Sequence, residues 1–161
     1  VAPEHIRIAR MVEGIAAKAG TPPLDLHDAA AVKRTLLAAR SIAYVDPVSG
    51  AVSGAFLLGI AEKMGIADQV KAKAVLTQTG AAVSAAVASG KAELGVTLIS
   101  EFLSSKDVTA WPLPAEIQMT TIYAAAVAAH PANAAAKALL AELGGAKGRE
   151  VIEKSGLAPM R

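Results

Sequence analysis

Short apolar runs alternate along the chain with segments in which apolar residues recur at helical spacing. The apolar runs cover 41–45, 73–76 and 94–99, and each has the length of a buried strand. The intervening segments, 52–64 and 81–88, have the spacing of helices, and a glycine lies just beyond each. Because strand, helix and strand in succession require crossover connections, the pattern predicts an α/β fold with a mainly parallel sheet flanked by helices.

The N-terminal segment, residues 4–19, is compatible with two kinds of element. Its apolar positions suit one face of a helix, whereas Gly14–Ala17 also fits a short buried strand, and we favour the helix. The Gly-Thr-Pro-Pro sequence at 20–23 ends this segment. Asp28 is then expected to cap a helix that continues to about residue 39.

The pattern changes after residue 107. Residues 111–114 contain two prolines and are expected to be extended, and 118–128 predicts a long strand. Pro131 is expected to begin a helix that ends at residues 144–145, and a last helix follows over 146–154. The C-terminal part is thus predicted to combine one strand with two helices.

Composition restricts the class of protein further. The chain has 161 residues, of which 53% are hydrophobic but only 3% aromatic, so we expect a core of Ala, Leu, Val and Ile. The mean hydropathy of +0.43 is high. However, the apolar run at 122–129 is well short of the ~18 residues that a membrane-spanning helix needs. We therefore expect a peripheral membrane contact at most, and an apolar surface that meets a partner.

Charge and residue types argue against several functions. The net charge is +2 and the basic residues are scattered, which does not indicate a nucleic-acid partner. Cysteine is absent and the three histidines lie far apart, so neither a metal nor another cofactor is expected. Asp46 lies near Ser49 and Ser53, but no histidine or lysine close in sequence could serve as a base. We therefore expect no enzymatic activity.

Two turns have the same layout, a strand followed by small residues and the start of a helix. Ser49 and Gly50 occupy the first turn, and Thr79 and Gly80 the second. Such residues also serve ordinary strand-to-helix connections, and for either turn alone that interpretation stays open. In parallel sheets, however, ligands bind beyond the carboxyl ends of the strands, and helix N-termini attract anions. The pair therefore predicts an anion crevice lined by Ser49, Ser53, Thr79 and Gly80.

Several stretches, in order and spacing, resemble one known family. They are Ala39–Pro47, Ser53-Gly54, Gly65–Asp68, Ala92–Val96, Pro112–Gln118, Ala134–Leu140 and Gly156–Pro159. Together these stretches cover most of the chain from about residue 9. They resemble the periplasmic solute-binding proteins of ABC importers, specifically the molybdate-binding type, which has the type II periplasmic-binding fold.

The resemblance implies a binding site. In that family, two lobes close on a tetrahedral oxyanion held by backbone N–H groups and hydroxyls. Carried over by position, contacts of the second lobe fall at Ser53, Gly80 and Leu98. Leu98 stands where the molybdate-binding proteins have a tyrosine whose hydroxyl touches the anion, and its side chain donates no hydrogen bond. The complete predicted ligand-binding set is Ser49, Ser53, Gly54, Thr79, Gly80 and Leu98.

The resemblance also implies a domain organisation. Residues 1–19 would be an N-terminal segment, either helix or hinge strand, and 20–117 an α/β ligand-binding lobe. Residues 118–161 would be a returning strand and C-terminal helices. The strand-rich first-lobe segment of the family has no counterpart here, so apolar faces would lack a cover. We therefore expect a homo-oligomer, such as a dimer formed by exchange of the terminal helices.

The expected partners follow from the same resemblance. They are a small anionic solute and an ABC permease, and the expected location is the periplasm, while the residue content is also compatible with the cytoplasm. The chain begins Val-Ala-Pro, which is expected of a processed or truncated product. The alternative is a ligand-sensing or oligomeric interaction module of the same fold with no transport role.

Overall fold

The computed structural model describes residues 5–128 and 134–160. Contacts divide the chain into two units, one formed by Val12–Met119 and the other by Val1–Met11 with Thr120–Arg161. The first strand, β1 (His5–Lys18), contributes residues to both units. Each unit has its own strands and helices, and each is described separately below.

The unit Val12–Met119 contains most of the secondary structure. Its helices are α1 (Ala29–Ala38), α2 (Val52–Lys63), α3 (Ala67–Ala72) and α4 (Gly80–Ala88). Its strands, besides the second half of β1, are β2 (Ile42–Val45), β3 (Ala74–Thr77), β4 (Leu94–Leu98) and β5 (Val108–Pro112). Short 3-10 turns lie at Pro47–Ser49, Ile99–Glu101 and Ala115–Ile117.

The strands of this unit pair in the order β3-β2-β4-β1-β5. Strand β2 is parallel to both β3 and β4, whereas β1 is antiparallel to β4 and to β5. The α/β class with a sheet flanked by helices is therefore confirmed. The sheet is mixed, because β1 enters it in the opposite direction to the three strands that the alternating pattern predicted.

Residues 5–18 form a strand, so the preference for a helix over this segment was wrong. The physical reason is burial on both faces. Between β4 and β5 every residue from Glu13 to Ala17 is buried, so apolar and small side chains occupy consecutive positions and no alternation is visible. Such a run cannot be told from a buried helix by periodicity alone.

Two apolar layers cover the sheet of this unit. One layer joins β-strand residues such as Ile15 and Tyr44 to α1, α2 and α3, and the other joins Ala16 and Val45 to α4. Successive strand residues point to opposite faces, so neighbours such as Ile15 and Ala16 belong to different layers. As expected from composition, most of the core side chains are aliphatic.

The second unit is smaller. It contains β6 (Thr120–Ala126), α5 (Ala134–Gly144), α6 (Ala146–Lys154) and β7 (Ala158–Pro159), together with the first half of β1. Strand β1 pairs with β6, and it pairs antiparallel with β7 through Ala9 and Arg10. The strand predicted over 118–128 is observed at Thr120–Ala126. The predicted helix start at Pro131 lies outside the described residues.

The helices begin at the caps and end at the glycines that the sequence indicated. Asp28 Oδ1 accepts a hydrogen bond from the Ala31 N–H at 2.7 Å, and α1 begins directly after this cap. Beyond α2, Gly65 has a φ of 69°, a conformation that favours glycine. The bounds predicted for β2, α2, β3, α4 and β4 lie within one residue of those observed. Strand β5 (Val108–Pro112) was not predicted as a strand, since only 111–114 was expected to be extended.

Two glycines of α2 are expected to respond oppositely to substitution by alanine. A β-carbon at Gly54 would overlap the Val45 carbonyl oxygen, so Gly54→Ala must push α2 away from β2, at a cost of about 2 kcal/mol or more. Gly59 has no atom within 4 Å of its would-be β-carbon, so Gly59→Ala should gain roughly 0.5–1 kcal/mol. Urea unfolding of both variants measures the difference, and equal effects would contradict this packing.

Candidate functional site

The carboxyl ends of the three parallel strands lie at one edge of the sheet. Val45 at the end of β2 is paired with Thr77 at the end of β3, and the Asp46 N–H donates to the Thr77 carbonyl at 2.8 Å. Helix α2 follows β2 and helix α4 follows β3, so both helices begin at this edge and pack on opposite faces of the sheet. The edge is the place where α/β sheets bind ligands.

The first turn leaves the N-terminus of α2 without a side-chain cap. The Ser49 hydroxyl donates to the Asp46 carbonyl at 2.7 Å and accepts from the Ala51 N–H at 3.4 Å, so it closes the turn itself. Ala51 precedes the helix and offers no acceptor. Among the described residues, no side chain accepts from the N–H groups of Val52, Ser53 or Gly54, which therefore keep their capacity to bind an anion.

Ser53, in the first turn of α2, reaches a buried carboxyl. Its hydroxyl donates to Glu13 Oε1 at 2.8 Å, and Thr97 Oγ1 donates to the Ser53 hydroxyl at 3.5 Å. All three side chains are buried. The hydroxyls of β4 and α2 thus form a short chain of hydrogen bonds that ends on a carboxyl of β1.

Glu13 was not among the sequence-predicted site residues. Its side chain is 0% exposed, and its Oε2 atom has no hydrogen-bond partner among the described residues. Burial raises the pKa of Glu13 above its usual range, and the hydrogen bond from Ser53 acts in the opposite direction. The available signal was a lone acidic residue within the otherwise apolar run 11–17.

The start of α4 at the second turn has a side-chain cap, which the start of α2 at the first turn lacks. Thr79 caps α4 by accepting from the Ala82 N–H at 3.2 Å, and Thr77 Oγ1 donates to the Thr79 carbonyl at 3.2 Å. A β-carbon at Gly80 would collide with the side chain of Glu101, whose carboxyl therefore lies against the start of α4. This carboxylate, also missed by the sequence analysis, lies where an incoming anion would interact with the helix.

The predicted residues thus form two groups at one edge. Ser53 is connected to Thr97, the neighbour of Leu98, and Leu98 is paired in register with Glu13. Gly54 lies against β2, and its role here is close packing. Thr79 and Gly80 form the second group, in which they contact Thr77, Ala82 and Glu101. The half-buried Leu98 ends β4 with an apolar side chain at this edge.

Residues 5–128 and 134–160 contain no cluster of three His, Asp or Glu side chains suited to a metal ion. Nor does any helix within those ranges have the length and apolar character to cross a membrane. A cavity of about 540 Å³ opens at the opposite edge of the sheet, where Arg40 pairs with Glu93 at 3.1 Å. The Arg40 guanidinium at this cavity is therefore already paired with an acid.

The unit Val12–Met119 is thus a layered α/β fold with two helix N-termini at one strand edge. The chain matches the family described as bacterial extracellular solute-binding protein over residues 1–158, and it belongs to that family.

A curated relative, aconitate isomerase from a Pseudomonas species, is 33% identical over 150 residues. That match covers 91% of this chain but 55% of the relative, so the chain spans about half the length of this relative.

Two solved structures share the fold. The substrate-binding domain of a molybdenum ABC transporter from Clostridium difficile, whose assignment is provisional, superposes with a TM-score of 0.74 at 17% identity, over 98% of this chain and 67% of that one. The periplasmic molybdate-binding protein of Azotobacter vinelandii gives a TM-score of 0.72 at 19% identity, over 100% and 70%. The predicted solute-binding fold is confirmed by these likenesses.

The raised pKa of Glu13 predicts how stability depends on pH. A carboxyl whose pKa is higher in the folded than in the unfolded state contributes stability below its ordinary pKa, and that contribution is lost as pH rises through the folded pKa. Glu13→Gln should remove this loss, so the variant should gain stability relative to the wild type as pH rises through the folded pKa of Glu13.

Denaturant unfolding between about pH 4 and about pH 8 tests this expectation. Glu62→Gln is the matched control, because Glu62 is an exposed acid of α2 and its removal should leave the pH profile of the wild type unchanged. A Glu13→Gln profile parallel to that of the wild type would contradict the burial argument.

Proposed function

We propose that this chain binds a small anion at the N-terminus of α2, as the solute-binding component of an importer. The observation that carries the proposal is the uncapped first turn of α2, beside the hydroxyl of Ser53 and at the carboxyl edge of parallel strands. Backbone N–H groups and a helix dipole bind anions without a cationic side chain. In the second turn, Thr79 and Glu101 already occupy the equivalent place.

The proposed ligand class is a small, multiply charged anion, either a molybdate-like oxyanion or a polycarboxylate. The names of the relatives support this class, since molybdate and aconitate both carry two or more negative charges. Leu98 contributes no hydrogen bond at the site. Selectivity among anions would therefore rest on the N–H groups, on Ser53 and on the buried carboxyl beside it.

The proposed setting is the periplasm, with an ABC permease as the partner that receives the solute. Membership of an extracellular solute-binding family supports this setting. A dimer with exchanged terminal elements remains part of the proposal, because α5 and β6 expose apolar side chains, with Leu139 61% and Ile122 47% exposed. Sedimentation at micromolar concentration distinguishes a dimer from a monomer.

Calorimetric titration with molybdate, tungstate, sulfate, phosphate and aconitate tests the binding function. We expect at least one of these anions to bind, and Ser53→Ala to weaken that binding about fivefold to tenfold because it removes the hydrogen bond that holds the Glu13 carboxyl beside the first turn of α2. Ser89→Ala is the matched control, since the Ser89 hydroxyl bonds to Ala85 at the far end of α4. No heat with any of the five anions would overturn the proposed binding function.

The Glu101→Gln variant tests whether the anion binds at the start of α2 or at the start of α4. If the anion binds at α2, the variant should change the dissociation constant by less than about threefold, because the Glu101 carboxyl lies against the start of α4 and salt screens charges separated by more than roughly 8 Å. If Thr79 and Gly80 are direct contacts, removing the carboxylate that lies against Gly80 should tighten binding about tenfold or more. We expect the smaller effect.

A second candidate function is isomerisation of an unsaturated polycarboxylate. The 33% identity to an aconitate isomerase favours it, and so does Glu13, a buried acid able to exchange a proton beside an anion site. Incubation with cis-aconitate in deuterated water, followed by proton NMR, tests this candidate. Formation of the trans isomer with incorporation of deuterium, abolished in Glu13→Gln, would establish it, and unchanged substrate would leave binding alone.

A further inference from the structure

Glu13 is a carboxyl that the fold buries without a charged partner. Its side chain is 0% exposed. Ser53 of α2 donates to the carboxyl, and Leu98 of β4 is its register partner. The Gln118 amide bonds both backbone groups of Glu13, accepting from its N–H at 2.9 Å and donating to its carbonyl at 3.0 Å. None of these neighbours carries a charge.

Other ionisable groups at this edge do not supply the missing cation. Asp46 precedes the first turn and Glu101 lies against Gly80, and both are acids. Thr97 and Ser53 are neutral, as are Leu113 and Met119, which bond to the backbone of Glu13. An ionised carboxyl in this setting would be far less stable than the neutral acid, because burial removes the water that would solvate the charge.

The direction of the hydrogen bonds leaves one oxygen of Glu13 free. Thr97 donates to Ser53 and Ser53 donates to Oε1, so Oε1 acts as the acceptor. In a neutral carboxyl the proton then resides on Oε2, and that atom has no partner among the described residues. A buried O–H group without an acceptor is costly, and a ligand oxygen would satisfy it.

We propose that Glu13 is held as an uncharged carboxylic acid and donates a hydrogen bond from Oε2 to the anion bound at the start of α2. This inference rests on the proposed function and deepens it. A donor at this place selects anions that present a bare, fully deprotonated oxygen. Binding and retention of the Glu13 proton are then linked, so raising the pH releases the ligand.

Titration with sulfate and with molybdate tests this linkage, because both anions keep a constant charge between about pH 6.5 and about pH 9. The wild-type affinity should fall by up to tenfold per pH unit once pH exceeds the pKa of Glu13. In Glu13→Gln the side-chain amide still donates a hydrogen bond but does not titrate, so the affinity should be retained and should no longer vary with pH.

The Glu62→Gln variant is the charge-matched control and should follow the wild type. A wild-type affinity that is constant with pH, or a Glu13→Gln variant with the wild-type pH dependence, would overturn the inference while leaving anion binding intact. Complete absence of binding by both anions would instead count against the proposed function for these ligands.

Infrared spectroscopy of the protein without ligand tests the protonation state of Glu13, whether or not any anion binds. In infrared spectra at about pH 7, the carbonyl stretch of a protonated carboxyl should appear in the wild type and disappear in Glu13→Gln. Its absence from the wild type would overturn the inference by itself. Its presence, together with failure of all the anions to bind, would support the neutral acid and reject its role as a ligand contact.

Discussion

The insertion of β1 between β4 and β5 is the constraint on which the site depends. Antiparallel pairing on both sides sets the register, and this register places Glu13 opposite Leu98, at the carboxyl end of β4. The same pairing assigns Ile15 to one apolar layer and Ala16 to the other. A slip of one residue would exchange these faces and remove the carboxyl from the side of α2. The position of the acid is therefore a consequence of the packing of the strand.

The two helices at this edge satisfy their N-termini in different ways. Helix α4 has a threonine cap and a carboxylate of the same chain against its first residue. Helix α2 has neither, and its serine hydroxyl is directed to Glu13. Two turns of similar sequence thus differ in chemistry, because the decisive groups come from β1 and from the turn after β4. The N-terminus of α4 is capped within the chain, whereas that of α2 has no side-chain cap.

The family comparison agrees with this division between scaffold and edge. The chain superposes on molybdate-binding structures at less than 20% identity, so the layers of the fold tolerate nearly complete change of side chains. An aconitate isomerase shares 33% of the matched residues. Proteins with such different roles can share one scaffold, because specificity depends on a few groups at the strand ends.

The sequence by itself determined the α/β class, the strands β2 to β4, and the helices that follow them, because local spacing, caps and glycines act within a few residues of one another. It also indicated that turns 46–51 and 77–80 lie at one edge, since parallel strands end together. It did not determine that residues 5–18 form a strand, because a strand buried on both faces has no alternating pattern. Only the tertiary structure decided that Glu13 meets Ser53 and that Glu101 lies against Gly80. Those contacts join residues 40 and 21 positions apart in the chain, and no local signal encodes a pairing that packing alone brings about.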